Sequence, residues 1–206
     1  MIPAVGGRTD FDVLRGFARR RVTEKRCELC GSAIAPDHAH VLERLRHKVL
    51  CACGPCSILF SHRSRDSFLA LIPRTARQLN SFEMDDLVWN SLRLPIELAF
   101  FVKDSVADRT IAYYPSPAGN TESLLNLDAW AEVIQSNREL QEMQDDTEAL
   151  LVDRTRGHRT YFIAPIDQCY RLTGLIRKGW RGFSGGDRVW AEIDEFFREL
   201  EAGAYA

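Results

Sequence analysis

Apolar residues recur along this chain with two different periods, and the period changes from segment to segment. Phe11, Leu14, Phe17 and Ala18 fall at helical spacing behind Asp10, a capping residue, so a helix is expected to about Val22. Leu79, Phe82, Leu87 and Trp89 predict one or two short helices between about residue 70 and Leu92. LDAWAEVIQS predicts another over 127–136, capped around Asn126 or Asp128. Two more close the chain, one from Asp167 to about Lys178 and one from about Asp187 that aligns Trp190, Ile193, Phe197 and Leu200. Between these lie runs rich in β-branched and aromatic residues: LPIELAFFV (94–102) with TIAYY (110–114), and EALLV (148–152) with TYFIAPI (160–166). Each pair flanks a polar segment and reads as a β-hairpin. Pro115 is expected to end the first hairpin and SPAGNTES (116–123) to form a structural loop, since it lacks the glycine spacing and lysine of a phosphate-binding loop. Strand pairs interrupted by helices, without strict βα alternation, predict an α+β fold with an antiparallel sheet covered by helices.

One segment calls for chemistry as well as packing. CELCGSAIAPDHAHVLERLRHKVLCACGPC (27–56) holds two CxxC pairs, Cys27 with Cys30 and Cys53 with Cys56, with 22 residues between them. A CxxC turn aims two thiolates at one centre, and the intervening hairpin brings the second pair round to complete a tetrahedron, as in a zinc ribbon or treble clef. Gly31 supplies backbone freedom where the first turn tightens, and alternation in HVLERLRHKVL lets the strands bury Val41, Leu45 or Val49. The expected ligands of one structural Zn are therefore Cys27, Cys30, Cys53 and Cys56, with Cys51, His38 and His40 as additional or alternative donors. Cys51 has no second thiol at CxxC spacing and is expected to be a buried thiol. Cys169 shares a stripe with Leu172 and Ile176 and reads as a core thiol, while His47, His62 and His158 read as surface residues.

Length and composition set the frame around this module. A chain of 206 residues, 45% hydrophobic and 27% charged, is globular. It divides into an N-terminal helix (1–26), the cysteine module (27–70) and an α+β domain (71–206), with SHRSRDS (61–67) as linker. The net charge of −2 argues against a surface built for nucleic acid. Up to Arg74 there are 13 Lys+Arg against 7 Asp+Glu, a balance of +6, whereas the remainder has 14 against 22, or −8. No run of about 18 apolar residues exists, and Asp10 and Asp12 interrupt any signal-peptide core, so a cytoplasmic protein without a membrane span is expected. In a reducing compartment, five cysteines within thirty residues indicate metal ligation over disulfides.

Three resemblances bear on function. CELCG resembles a rubredoxin knuckle, and four sulfurs also accept Fe, which would imply a redox carrier; Ser57 stands where that family's second knuckle has glycine. CELCG, His40-Val41 and LCACGPC resemble the metal-supported ββα frame of HNH nucleases, in which a catalytic histidine activates water. Here SILF follows Cys56 without the expected histidine, and no asparagine lies between Val41 and Leu50, so no catalytic residue is assigned. RCELCG, HAHVLERL, LCACGPCSILF, YYPSPAGNTESLLNLDAW, APIDQCYRLTGLIRKGW and WRGFSGGDRVW together resemble, over nearly the whole chain, an uncharacterised bacterial family. Its genes lie beside those of NiFe hydrogenases of the high-affinity, actinobacterial kind. That resemblance implies a hydrogenase accessory, maturation or associated protein, with hydrogenase subunits or maturation proteins as partners. The cysteine module and the SPAGNTES and WRGFSGG loops would then be the contact regions.

Overall fold

The computed structural model describes residues 25–61, 67–124, 126–182 and 185–203. The helix expected over 10–22, His62 and most of the 61–67 linker lie outside them. The fold is α+β, as the strand and helix pattern requires, and its organising element is a six-stranded antiparallel sheet in the order β4-β9-β8-β5-β6-β7. Its strands are β4 (Arg77–Gln78), β5 (Leu98–Asp104), β6 (Arg109–Ser116), β7 (Gly119–Ser123), β8 (Glu148–Asp153) and β9 (Thr160–Pro165).

The central strands are apolar at nearly every position because both faces of the sheet are covered. On β5, Leu98, Phe100 and Val102 point to one core and Ala99 and Phe101 to the other. The same alternation separates Ala149 and Leu151 from Leu150 and Val152 on β8, and Phe162 and Ala164 from Tyr161 and Ile163 on β9. The first face is closed by α4 (Ile166–Gly179) and α5 (Asp187–Glu201), through Cys169, Leu172, Ile176, Ile193, Phe197 and Leu200. The second is closed by α2 (Asp86–Ser91) and α3 (Leu127–Ser136), with Trp130 stacked on Phe101 at 4.5 Å between ring centres. Asn126 caps α3, its side-chain oxygen accepting from the backbone N–H groups of Asp128 and Ala129.

One expectation is corrected here, and a second is narrowed. Pro115 does not end the first hairpin: β6 runs to Ser116 and most of the supposed loop is β7, paired Pro115 to Asn120 and Ser116 to Gly119. The proline is tolerated because β5 pairs with β6 only as far as Tyr113, so the missing N–H removes no bond to that neighbour. Between residues 70 and 92, only α2 is helical. Leu79 follows β4, whose pairing with β9 is continued by the Leu79 N–H to the Tyr161 carbonyl, and Leu87 faces solvent while Trp89 is buried.

The cysteine segment contributes a second sheet, ordered β2-β1-β3, from β1 (Ala39–Glu43), β2 (Lys48–Ala52) and β3 (Leu69–Leu71). It is not free-standing, because Leu42 and Ile72 join the core that contains Phe100 and Phe162. The turn between β1 and β2 breaks the expected alternation: Leu45 is 62% exposed, and Arg44 is buried instead. Arg44 reaches Asp146, in the turn that leads into β8, at 3.0 Å and donates to the Ser67 carbonyl. Asp146 is also tied down by the Ser105 N–H and hydroxyl. Removing one partner of such a buried pair strands the other charge, so Asp146→Ala is expected to lose about 3–5 kcal/mol of stability in urea denaturation. The paired replacement Arg44→Met with Asp146→Leu is expected to lose less, because neither charge is left behind.

Candidate metal centre

The first CxxC forms a tight knuckle. The Cys27 carbonyl accepts from the Gly31 N–H and the Cys27 N–H donates to the Ser32 carbonyl, both at 2.8 Å. This closure requires Gly31 at φ +77°, a left-handed conformation in which a side chain would be strained. The β1–β2 hairpin follows, and then Cys53 opens helix α1 (Gly54–Leu59), with Pro55 in its first turn and the Ser57 N–H donating to the Cys53 carbonyl at 2.9 Å. Cys56 lies one turn into that helix. Knuckle, hairpin, then a helix bearing the second pair is the order expected of a treble clef.

This arrangement brings Cys27, Cys30, Cys53 and Cys56 together, with all four Sγ atoms within 4.8 Å of one another. Cys30 and Cys53 are 3.6 Å apart. Bonds of about 2.3 Å to a central metal require sulfur–sulfur edges of about 3.8 Å, so that pair already stands at tetrahedral spacing. It is far outside the ~2.05 Å of a disulfide, and all six cysteines are free thiols. Four cysteines so placed are able to hold a metal ion.

The polar surroundings divide the four thiols. Burial alone would push Cys27 up, but the backbone N–H groups of Cys53, Cys30 and Leu29 outweigh it and bring the thiol down to about 6. The Ser32 hydroxyl, 3.3 Å from Cys30 Sγ, lowers Cys30, chiefly by hydrogen bonding. Cys56 is pushed up to about 12, first by its hydrogen bonds to Cys53 and Cys30.

The remaining candidates fall in three places. His38, His40 and Cys51 meet as a second group, with one ligand atom from each within 4.8 Å of the others. Cys51 is thus half-buried beside two imidazoles, not the buried thiol that its lack of a CxxC partner suggested. Cys169 is fully buried in the core, where loss of hydration drives its thiol upward. His47 and His158 are exposed, as expected, and each faces a buried carboxylate, Asp104 at 3.4 Å and Asp153 at 3.1 Å.

Two residues went unnoticed in the sequence. Glu28, inside the first CxxC, grips Cys51 from both sides: its N–H donates to the Cys51 carbonyl, and its carboxylate accepts from the Cys51 N–H, each at 2.8 Å. The Cys51 N–H is the main reason that the Glu28 carboxyl lies below the usual range, and Lys48 at 3.2 Å adds to it. Asp167, in the first turn of α4, meets His40 Nδ1 at 2.6 Å across 127 positions of sequence. No local pattern signals a contact of that span.

The chain belongs to DUF5947, a family of unknown function. The match spans residues 26–204, so the cysteine cluster and the larger sheet lie within one family unit. No curated protein and no solved structure matches the chain. In the metal-free protein, thiolate ultraviolet absorbance from the cluster is expected to rise over a wide range, from near pH 6 for Cys27 to near pH 12 for Cys56. Metal competes with those protons, so affinity for Zn2+ is expected to fall as pH drops, most steeply below about 6 where Cys27 also regains its proton.

Proposed function

We propose that the chain is a zinc-binding accessory, maturation or associated protein of a NiFe hydrogenase, acting through protein–protein contacts. The observation that carries the metal half of this reading is the gathering of Cys27, Cys30, Cys53 and Cys56 within 4.8 Å of one another, with Cys30 and Cys53 3.6 Å apart. Four thiolates suit Zn2+, which has no redox chemistry and favours closed tetrahedral sites where its role is structural. Bound there, the ion would pin the first knuckle to the start of α1 and so hold the hairpin between them.

The partner half rests on the resemblance set out above and on the surface of the module. Helix α1 buries none of its residues among the described ones, and Ile58 and Leu59 are 71% and 73% exposed. Phe68, on the entry to β3, is 73% exposed. Large apolar side chains left in solvent suit contact with another protein. No described helix is long and apolar enough to cross a membrane.

Protein purified without added metal is expected to carry zinc that Cys30→Ser with Cys53→Ser removes, measured by elemental analysis. Iron with the visible absorption of a ferric tetrathiolate would make the site a rubredoxin-like redox centre instead. A tagged chain in the native host is expected to capture hydrogenase subunits or maturation proteins, and to lose them when Ile58 and Leu59 are both changed to Ser. Reproducible capture of unrelated proteins alone contradicts the hydrogenase assignment.

A further inference from the structure

The group formed by His38, His40 and Cys51 has the construction of a ligand set. Strand register explains the meeting: His40 on β1 stands directly opposite Cys51 on β2, and His38, two residues earlier, falls on the same face. That face also carries Leu42 and Val49, which pack against the larger domain, so the three donors lie on the seam between hairpin and domain.

The hydrogen bonds around the imidazoles select the tautomer of each ring. His38 Nδ1 lies 2.9 Å from the Ala35 carbonyl and 3.0 Å from the Pro36 carbonyl; carbonyls only accept, so Nδ1 carries the hydrogen. The neutral ring then has its lone pair on Nε2, which is buried and has no hydrogen-bond partner. For His40, the Asp167 carboxylate at 2.6 Å accepts from Nδ1, which again leaves the lone pair on Nε2. Carboxylate to imidazole to metal is the arrangement that orients a histidine ligand and raises its basicity. A buried nitrogen lone pair with nothing to accept from is a cost that a bound cation would remove.

We propose that His38, His40 and Cys51 form a second transition-metal site, distinct from the four-cysteine cluster. The two nitrogens and one sulfur select a first-row ion such as Zn2+ or Co2+ over Mg2+ or Ca2+, which prefer oxygen. Three protein ligands leave a coordination position open, as in exchangeable or catalytic sites and unlike the closed tetrathiolate. Glu28 ties the two sites together, because it belongs to the first knuckle and holds the backbone of Cys51 through both its N–H and its carbonyl. The proposal does not depend on the hydrogenase partnership.

The test is Co2+ titration of the metal-stripped full chain, followed by absorption spectra and by elemental analysis after gel filtration. Two ions per chain are expected, the second adding much weaker sulfur-to-cobalt charge transfer than the first, since one thiolate replaces four. Cys51→Ser and the pair His38→Asn with His40→Gln are expected to retain the first ion and lose the second. Asp167→Asn, outside the ligand set, is expected to weaken the second ion ~10- to 100-fold and leave the first unchanged. Wild-type protein that binds one ion only, or a second ion that persists in all of these variants, overturns the proposal. The wild-type stoichiometry and the Asp167→Asn shift decide it even where a ligand variant fails to fold.

Discussion

The register of β1 against β2 is the constraint on which the rest of the module depends. Pairing Val41 with Leu50 and His40 with Cys51 puts an apolar pair on one face of the hairpin and a histidine–cysteine pair on the other. A slip of one residue would exchange the faces, send Leu42 away from the domain core and separate His40 from Asp167. The same hairpin spans the gap between the two CxxC turns, so its geometry also determines whether four thiols converge. Metal ligation and hairpin register therefore reinforce one another: an ion in the cluster would fix both ends of the hairpin, and the hairpin presents the cluster nearly formed.

The hairpin is also the surface by which the module joins the domain. Leu42 enters the shared core, Arg44 reaches the buried Asp146, His40 meets Asp167 and His47 faces Asp104. Three basic residues of a net-basic segment thus contact three acidic residues of a net-acidic one. The opposite charges of the two parts of the chain are consistent with this docking. An event at the metal sites consequently has a physical route to the first turn of α4, through His40 and Asp167.

Much of this was legible in the sequence where the signal is local. CxxC spacing, the helical stripe ending at Leu200 and the strand runs ALLV and YFIA each declare themselves within a few residues, and all appear where expected. What escaped has a physical cause in each case. β7 hid behind Pro115 because a proline past the end of its neighbour strand breaks no bond, a condition invisible without the pairing. Residue type favours an exposed Arg44 and a buried Leu45, and the turn between β1 and β2 reverses the two. The contact of His40 with Asp167 depends on how the hairpin packs against α4, and the grip of Glu28 on Cys51 depends on the knuckle folding against β2. The convergence of His38, His40 and Cys51 lay between these cases: the HxH spacing was visible, and only register could put a thiol opposite.

The central claim is that the first metal equivalent is held by Cys27, Cys30, Cys53 and Cys56. X-ray absorption at the zinc edge, on full-length protein loaded with a single equivalent, tests it most directly. Four sulfur neighbours at about 2.3 Å are expected, with no light-atom shell. A first shell containing nitrogen or oxygen near 2.0–2.1 Å would place that ion elsewhere and contradict the account.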